Sequence, residues 1–243
     1  LCLACVFMAA AGSSVINILL EQETDALMPR VSGRAAAIAR IGRPRAFLAA
    51  CGLILFSAAL AGKFLSLTAS ALICLAAISY TTVYTLYLKR KSPFGTVLGG
   101  IPGALPVLIG YASVRPAIGF DAFVLFLVMM LWQPPHFLAL ALSHRCEYAA
   151  AGLPVMPVSM GEPYTRAFAM SYVVALIPAA SALFFAGTCS GFFAAVSLAL
   201  GFCLATCFYI FLFRTDRFGL AFASSIAYIV LLFVGIIADS WMA

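Results

Sequence analysis

Asn17, Glu21 and Asp25 recur at four-residue intervals in the run Asn17-Ile18-Leu19-Leu20-Glu21-Gln22-Glu23-Thr24-Asp25-Ala26-Leu27-Met28-Pro29-Arg30. On a helix this spacing keeps the three side chains within an arc of roughly 80° while they climb about 12 Å. A one-sided row of hard oxygen donors suits Mg²⁺, which takes one or two carboxylates and fills its shell with waters and substrate phosphate. Arg30 and Arg34 follow within two turns, and guanidinium forks match phosphate oxygens. The alternative is an ordinary helix end with solvated charge. Against it, Glu21, Glu23 and Asp25 crowd three carboxylates into five residues, and Asn17 lies inside an apolar run where a polar group is costly. The pattern therefore points to a metal–diphosphate site.

Two further constellations stand out. Trp132-Gln133-Pro134-Pro135-His136-Phe137 is followed by Glu147-Tyr148 and Gly152-Leu153-Pro154. His136 is one of two histidines. A hydrogen-bonded structural histidine and a residue lining a cavity are both open readings. A continuous helix from His136 to Glu147 would hold them about 16 Å apart along its axis, placing the histidine deeper than the acids. The other constellation is Lys89-Arg90-Lys91-Ser92-Pro93, then Gly99-Gly100-Ile101-Pro102-Gly103-Ala104-Leu105-Pro106. Three cations at a span end serve as a topology anchor, and glycines at helical spacing allow close helix packing. Neither reading conflicts with diphosphate binding. There is no P-loop or Rossmann pattern to suggest nucleotide binding.

The elements that must position these residues are membrane helices. Of 243 residues, 65% are hydrophobic and 9% charged, with a mean hydropathy of +1.13. A soluble surface needs about 25% charged residues. Eight apolar spans are predicted, roughly 1–20, 46–62, 66–88, 94–114, 118–142, 167–188, 190–213 and 219–239, each near the length that crosses a bilayer. Backbone amides in lipid must bond internally, so the spans are helices. Pro102, Pro106, Pro134, Pro135 and Pro178 fall within them and suggest kinks beside a polar cavity. If the connection after the first span is cytoplasmic, twelve of the 14 basic residues lie on that face and only Lys63 and Arg115 on the other. The net charge of +6 thus belongs to membrane topology, and no nucleic-acid partner is expected. Chemistry should sit on the cytoplasmic face, served by the connections 21–45 and 143–166. Most of the eight cysteines lie in apolar spans, where they act as small hydrophobes. Cys2-x-x-Cys5 is read the same way. The sequence opens at Leu1 inside an apolar run, which suggests a missing preceding segment rather than a signal peptide.

Asn17-x-x-x-Glu21-x-x-x-Asp25-x-x-Met28-x-Arg30-x-x-x-Arg34 resembles the first aspartate-rich motif of UbiA-type intramembrane prenyltransferases. Tyr84-x-x-Tyr87-Leu88-Lys89-Arg90-x-Ser92-Pro93 with Gly99-Gly100-x-x-Gly103-Ala104-x-Pro106, and Trp132-x-Pro134-Pro135-His136-Phe137 running on to Glu147-Tyr148-x-x-Ala151-Gly152-x-Pro154, resemble its haem O synthase branch. The resemblance implies an all-α, polytopic transmembrane helix bundle of nine helices around a central cavity. Eight of those spans are present, so residues 1–243 would form a single transmembrane prenyltransferase domain lacking the family's first helix. It implies transfer of a farnesyl group from farnesyl diphosphate to a vinyl group of haem B, giving haem O for haem-copper terminal oxidases. It also implies Mg²⁺ as cofactor, a bacterial inner membrane location, and work alongside haem A synthase or terminal oxidase assembly.

Carried over residue by residue, the resemblance makes Asn17, Glu21, Asp25 and Glu147 the catalytic, Mg²⁺-holding set. Arg30, Arg34, Lys89 and Arg90 would grip the diphosphate, and His136, Trp132 and Tyr148 would face the haem. His136 would serve as axial ligand or proton acceptor. The chain departs from the family pattern at Val31, usually threonine, at Ala35, usually proline, at Glu147, usually aspartate, and at Leu138, usually aromatic. Other readings are a prenyltransferase for a quinone-type aromatic acceptor, a degenerate inactive relative, and a transporter. The clustering of the acids at one face, away from the bilayer midplane, argues against the last.

Overall fold

The computed structural model describes residues 1–242 apart from Ser32 and Pro116; the side chain of Ala35 also lies outside the described residues, as does its departure from the family pattern. Among the described residues there is no strand. Among these residues eight helices are long and apolar enough to cross a membrane, matching the eight predicted spans. In chain order the helices are α1 (Cys2–Ala26), α2 (Gly33–Ile41), α3 (Arg43–Phe64), α4 (Leu67–Lys91), α5 (Gly95–Ala112, interrupted at Gly99), α6 (Phe120–Ser143), α7 (Arg145–Ala150), α8 (Met156–Ser159), α9 (Glu162–Phe185), α10 (Gly191–Arg214) and α11 (Phe218–Met242).

The chain divides into two compact units, residues 1–118 with 146–155, and residues 119–145 with 156–243. Each holds four of the long helices. In the first unit α1 lies tightly along α3. A Cβ on Gly12 would stand 2.6 Å from the Ala50 carbonyl oxygen and 2.8 Å from Ile54, so only glycine permits this approach. The Ser57 hydroxyl donates to the Cys5 carbonyl oxygen at 2.7 Å across the same contact. Cys5 is wholly buried among Ala9, Ala58, Ala61, Ala69, Ile73, Ile109 and Ala112, with Cys2 packed on the cluster. The Cys2-x-x-Cys5 pair is thus packing material, as its lipid-like setting suggests. In the second unit Gly201 of α10 meets Ile177 of α9, and the Trp132 indole N–H of α6 donates to the Ser225 carbonyl oxygen of α11 at 2.7 Å.

Local sequence explains where several helices begin. Gly42 and Gly161 have φ of 89° and 83°, a region disfavoured for side-chain-bearing residues. Each is followed by a helix with proline in its first turn, Pro44 in α3 and Pro163 in α9, where the missing N–H has no helical partner to lose. Ser66 and Ser190 cap α4 and α10, accepting from the Ala69 and Phe193 amides. Pro106, Pro134, Pro135 and Pro178 all lie inside helices that continue through them.

Four features differ from the sequence expectation. α1 runs on to Ala26, so Glu21 and Asp25 belong to the helix and not to a connection. α9 starts at Glu162, which brings Arg166 into the helix. The stretch Ser79–Leu88 of α4 is π-helical, as is Ile210–Arg214 of α10. Hydropathy cannot separate a π from an α segment, since both leave the same residues apolar. α6 ends at Ser143, with His144 in a non-helical conformation. The premise of one continuous helix from His136 to Glu147 fails, and with it the 16 Å estimate.

Candidate active site

The acidic row is assembled in the first unit. Asn17, Glu21 and Asp25 are all buried, with exposures of 7%, 2% and 3%, although neighbouring Glu23 is not. Glu21 Oε2 accepts from the Lys89 ammonium at 2.7 Å and from Asn17 Nδ2 at 2.9 Å. The other Asn17 amide hydrogen goes to Thr85 Oγ1 at 3.1 Å, and the Thr85 hydroxyl donates to the Tyr80 carbonyl oxygen at 2.9 Å. Both hydrogens of the Asn17 amide are thereby committed, and what it can offer a cation is its carbonyl oxygen. Arg90 donates to the Leu20 carbonyl oxygen at 2.8 Å, pinning the basic end of α4 beside α1.

The π-helical stretch sets this geometry. The Lys89 amide bonds back to the Tyr84 carbonyl, five residues earlier. Widened turns of this kind are rare and gather at functional sites. Here the segment delivers Thr85 to Asn17 and Lys89 to Glu21. Tyr84 stacks on Tyr80 with centroids 5.7 Å apart. A Cβ on Gly99 would lie 2.3 Å from the Tyr84 ring, so the break in α5 is where the tyrosine needs a glycine.

The arginine turn follows α1. Met28, Val31 and Leu153 form a buried cluster with Tyr148, Ala151 and Val155 packed against it. Val31 thus stands where an apolar side chain seats the turn on the 146–155 segment. Arg30 lies 3.9 Å from Glu147 and 3.5 Å from the Tyr148 hydroxyl. Burial pushes the Tyr148 phenol above its ordinary range, and the neighbouring Arg30 charge pulls the other way. Arg34 is exposed at the start of α2, with Lys89, Arg34 and Arg30 all near enough to act electrostatically on Asp25.

The donor chemistry fits a magnesium ion. Asp25 Oδ2 is buried without a hydrogen-bond partner among the described residues, a costly arrangement for a carboxylate unless a cation completes it. No three His, Cys, Asp or Glu side chains converge among the described residues. Glu147 sits by Arg30 and does not join Glu21 and Asp25 in one cluster. A cation here would have few protein ligands and fill its shell with water and phosphate oxygens, which is magnesium's habit.

His136 belongs to a separate cluster in the second unit. Its ring is sandwiched between Trp132 and Phe222, with centroids at 4.5 and 4.3 Å, and meets the Phe137 edge at 5.2 Å. Its Nδ1 is 2.8 Å from Ser225 Oγ. Leu138 is wholly buried. The sequence reading missed Thr85, Tyr80, Phe222 and Ser225. The Tyr80-x-x-x-Tyr84 spacing, one turn before the basic run, could have flagged the first two. Nothing in the sequence marks Ser225, whose span is otherwise plain lipid-type helix.

Comparison with known proteins identifies the fold and the family. The model of the UbiA prenyltransferase family matches residues 1–232. A protoheme IX farnesyltransferase of Geotalea uraniireducens (strain Rf4) is 46% identical over 239 residues, covering 98% of this chain and 92% of that protein. One from Aquifex aeolicus (strain VF5) is 34% identical over 233 residues, covering 96% and 80%. The fold is similar to that of a UbiA homologue from Archaeoglobus fulgidus, solved bound to DMAPP and Mg²⁺, with a TM-score of 0.64 at 18% identity, covering 96% of this chain and 88% of that one. With eight membrane-length apolar helices among its described residues, this multi-pass membrane protein belongs to the UbiA prenyltransferase family.

Proposed function

We propose that the chain transfers the farnesyl group of farnesyl diphosphate to a vinyl group of haem B, releasing diphosphate and giving haem O. The observation that carries the prenyl-transfer half is the buried row Asn17–Glu21–Asp25, with an unpartnered carboxylate oxygen on Asp25 and Lys89 pressed against Glu21. The haem half is supported by relatives named for that acceptor, one of them 46% identical.

Asn17, Glu21 and Asp25 would hold Mg²⁺ by their oxygens, while Glu147, the fourth member that the family motif implies, stands apart beside Arg30. When bound, the ion supplies positive charge against the negative charge that builds on the departing diphosphate. Arg30, Arg34, Lys89 and Arg90 stabilise the same leaving group through charge-assisted hydrogen bonds. The bond between farnesyl C1 and its oxygen breaks, and its electron pair leaves with the diphosphate. The vinyl π electrons attack the allylic carbon, and water adds to the new cation and loses a proton, giving the hydroxyethyl product. Trp132, His136 and Tyr148 are proposed on the haem side. The apolar helix surfaces keep water from quenching the allylic cation early. The site faces the cytoplasm of a bacterial inner membrane, on the basic-residue asymmetry, and its product would pass to haem A synthase or to terminal oxidase assembly.

The test is pigment extraction from cells that make no haem O of their own and express the complete gene. Haem O in the extract is expected. The chain present in membranes with haem B unchanged would overturn the haem assignment, and a prenylated aromatic acid in its place would move the chain to the quinone-type branch.

A further inference from the structure

His136 and Ser225 are both buried, at 9% and 0% exposure. His136 Nδ1 and Ser225 Oγ are 2.8 Å apart, and that distance alone leaves the donor open. The serine's other contact closes the question. Its Oγ lies 2.6 Å from the Phe222 carbonyl oxygen, one turn back on α11, and a carbonyl can only accept. A hydroxyl carries one proton. With that proton on the Phe222 carbonyl, Oγ offers the imidazole a lone pair, so Nδ1 must carry the ring hydrogen. A neutral imidazole has only one N–H, which leaves the lone pair on Nε2.

The surroundings hold this arrangement from three sides. Trp132 donates its indole N–H to the Ser225 carbonyl oxygen at 2.7 Å, fastening α6 to α11 at the same residue. The Trp132 and Phe222 rings stack on the two faces of the imidazole at interplanar angles of 22° and 27°. A single serine thus meets the histidine through its hydroxyl oxygen and the tryptophan through its carbonyl, while its proton stays on the Phe222 carbonyl of its own helix.

We propose that Ser225 is a positioning residue for prenyl transfer. It fixes His136 as the Nδ1–H tautomer, so that Nε2 is the one basic nitrogen presented to the acceptor half of the reaction. A histidine that binds a metal or takes a proton through one nitrogen commonly has the other tied to a hydrogen-bond acceptor, which sets the tautomer. The inference rests on the proposed haem-side role of His136. The tautomer itself is measured without any substrate, so it can fail while the activity stands, or stand while the activity fails.

The experiment uses the full chain, labelled with ¹³C,¹⁵N-histidine and reconstituted in lipid bilayers. Only two histidines are present, and His144→Gln leaves His136 alone in the spectrum. Solid-state NMR at neutral pH should show a protonated Nδ1 and an unprotonated Nε2. A protonated Nε2 in the unmodified serine background would overturn the proposal. Ser225→Ala should shift the ring toward the Nε2–H form and lower kcat at least tenfold with the KM for farnesyl diphosphate unchanged. Ser225→Thr, which keeps the hydroxyl, should retain the tautomer and recover most of kcat. If Ser225→Ala lowers thermal stability but leaves both tautomer and kcat as they were, the serine is structural and the proposal falls. The NMR of the parent chain decides the matter even if the alanine variant does not assemble.

Discussion

Replacing Glu21 by glutamine separates two roles that one side chain carries. Glu21 is 2% exposed, and its Oε2 holds both the Lys89 ammonium at 2.7 Å and the Asn17 amide at 2.9 Å. The Glu21→Gln side chain fits the same space but leaves the ammonium without its counterion. Removing one partner of a fully buried ion pair costs about 3–5 kcal/mol. The Lys89 side chain keeps 18% of its surface exposed and can swing its head outward. The stability loss should therefore be smaller, about 2 kcal/mol, or about 4–8 °C in melting temperature for a chain of this size. Turnover should fall further in relative terms, by roughly 10²–10³, the usual effect of deleting one preorganised electrostatic group. Melting curves in detergent and farnesyl transfer at limiting Mg²⁺ give the two readouts. The double variant Glu21→Gln/Lys89→Met removes the orphaned ammonium, and its stability should return to within about 1 kcal/mol of the parent while turnover stays low. An unchanged melting temperature in Glu21→Gln, or no recovery in the double variant, would show that the pair does not support α4 against α1. Full turnover in Glu21→Gln at limiting Mg²⁺ would refute its part in the cation site.

Asp25→Asn should also lose most activity and its steep Mg²⁺ dependence, yet melt within about 0.5 kcal/mol of the parent, because Oδ2 has no hydrogen bond to lose; Cys203→Ala, on an exposed face, is the silent control for both assays. Gly99→Ala should destabilise by about 1–3 kcal/mol, since its methyl would meet the Tyr84 ring, whereas Gly52→Ala, with open space around it, should not; a tolerated Gly99→Ala would mean that Tyr84 has room to move. The raised Tyr148 pKa favours the folded state below the ordinary phenol value of about 10 and loses that advantage as pH climbs past it; stability curves of the parent and Tyr148→Phe should therefore converge or cross only in alkaline solution, and a divergence near neutral pH would contradict the burial. Single cysteines in the connections 27–42 and 144–161, in a cysteine-free background, should react with an impermeant thiol reagent only from the cytoplasmic side, and periplasmic labelling would invert the topology.

The helices and the acidic row were legible in the sequence for one physical reason. In lipid the backbone has few options, so the length of an apolar run nearly determines the element, and the four-residue spacing then puts Asn17, Glu21 and Asp25 on one face. The partners of those residues were less legible because they come from other helices. The diphosphate role of Lys89 came with the family resemblance, and its contact with Glu21 emerges only once Ser79–Leu88 winds as a π-helix. Thr85 carries no signal of its own in the sequence, because its partner Asn17 lies on another helix. The grouping of Glu147 with the acidic row came from the family motif, while its 3.9 Å contact with Arg30 depends on how the segment 146–155 returns to the turn after α1. Ser225 carries no local signal, since a serine in an apolar span usually satisfies itself on its own backbone.

The π-helical turns of α4 bear on how a change in residue number would be tolerated at this site. Each π ring closes over one residue more than an α ring. Loss of a single residue between Ser79 and Leu88 would let the span relax toward ordinary helix, still apolar and still able to insert. The residue removed is the one the wide turn had absorbed, so Lys89 and Arg90 would keep roughly the direction that brings them to Glu21 and the Leu20 carbonyl oxygen. What would change is the wide turn itself, which places Thr85 against Asn17. A relative that aligns here with a one-residue gap can therefore keep its basic run beside the acidic row, and such a gap is a weaker sign of lost chemistry than the same gap in an α-helical stretch.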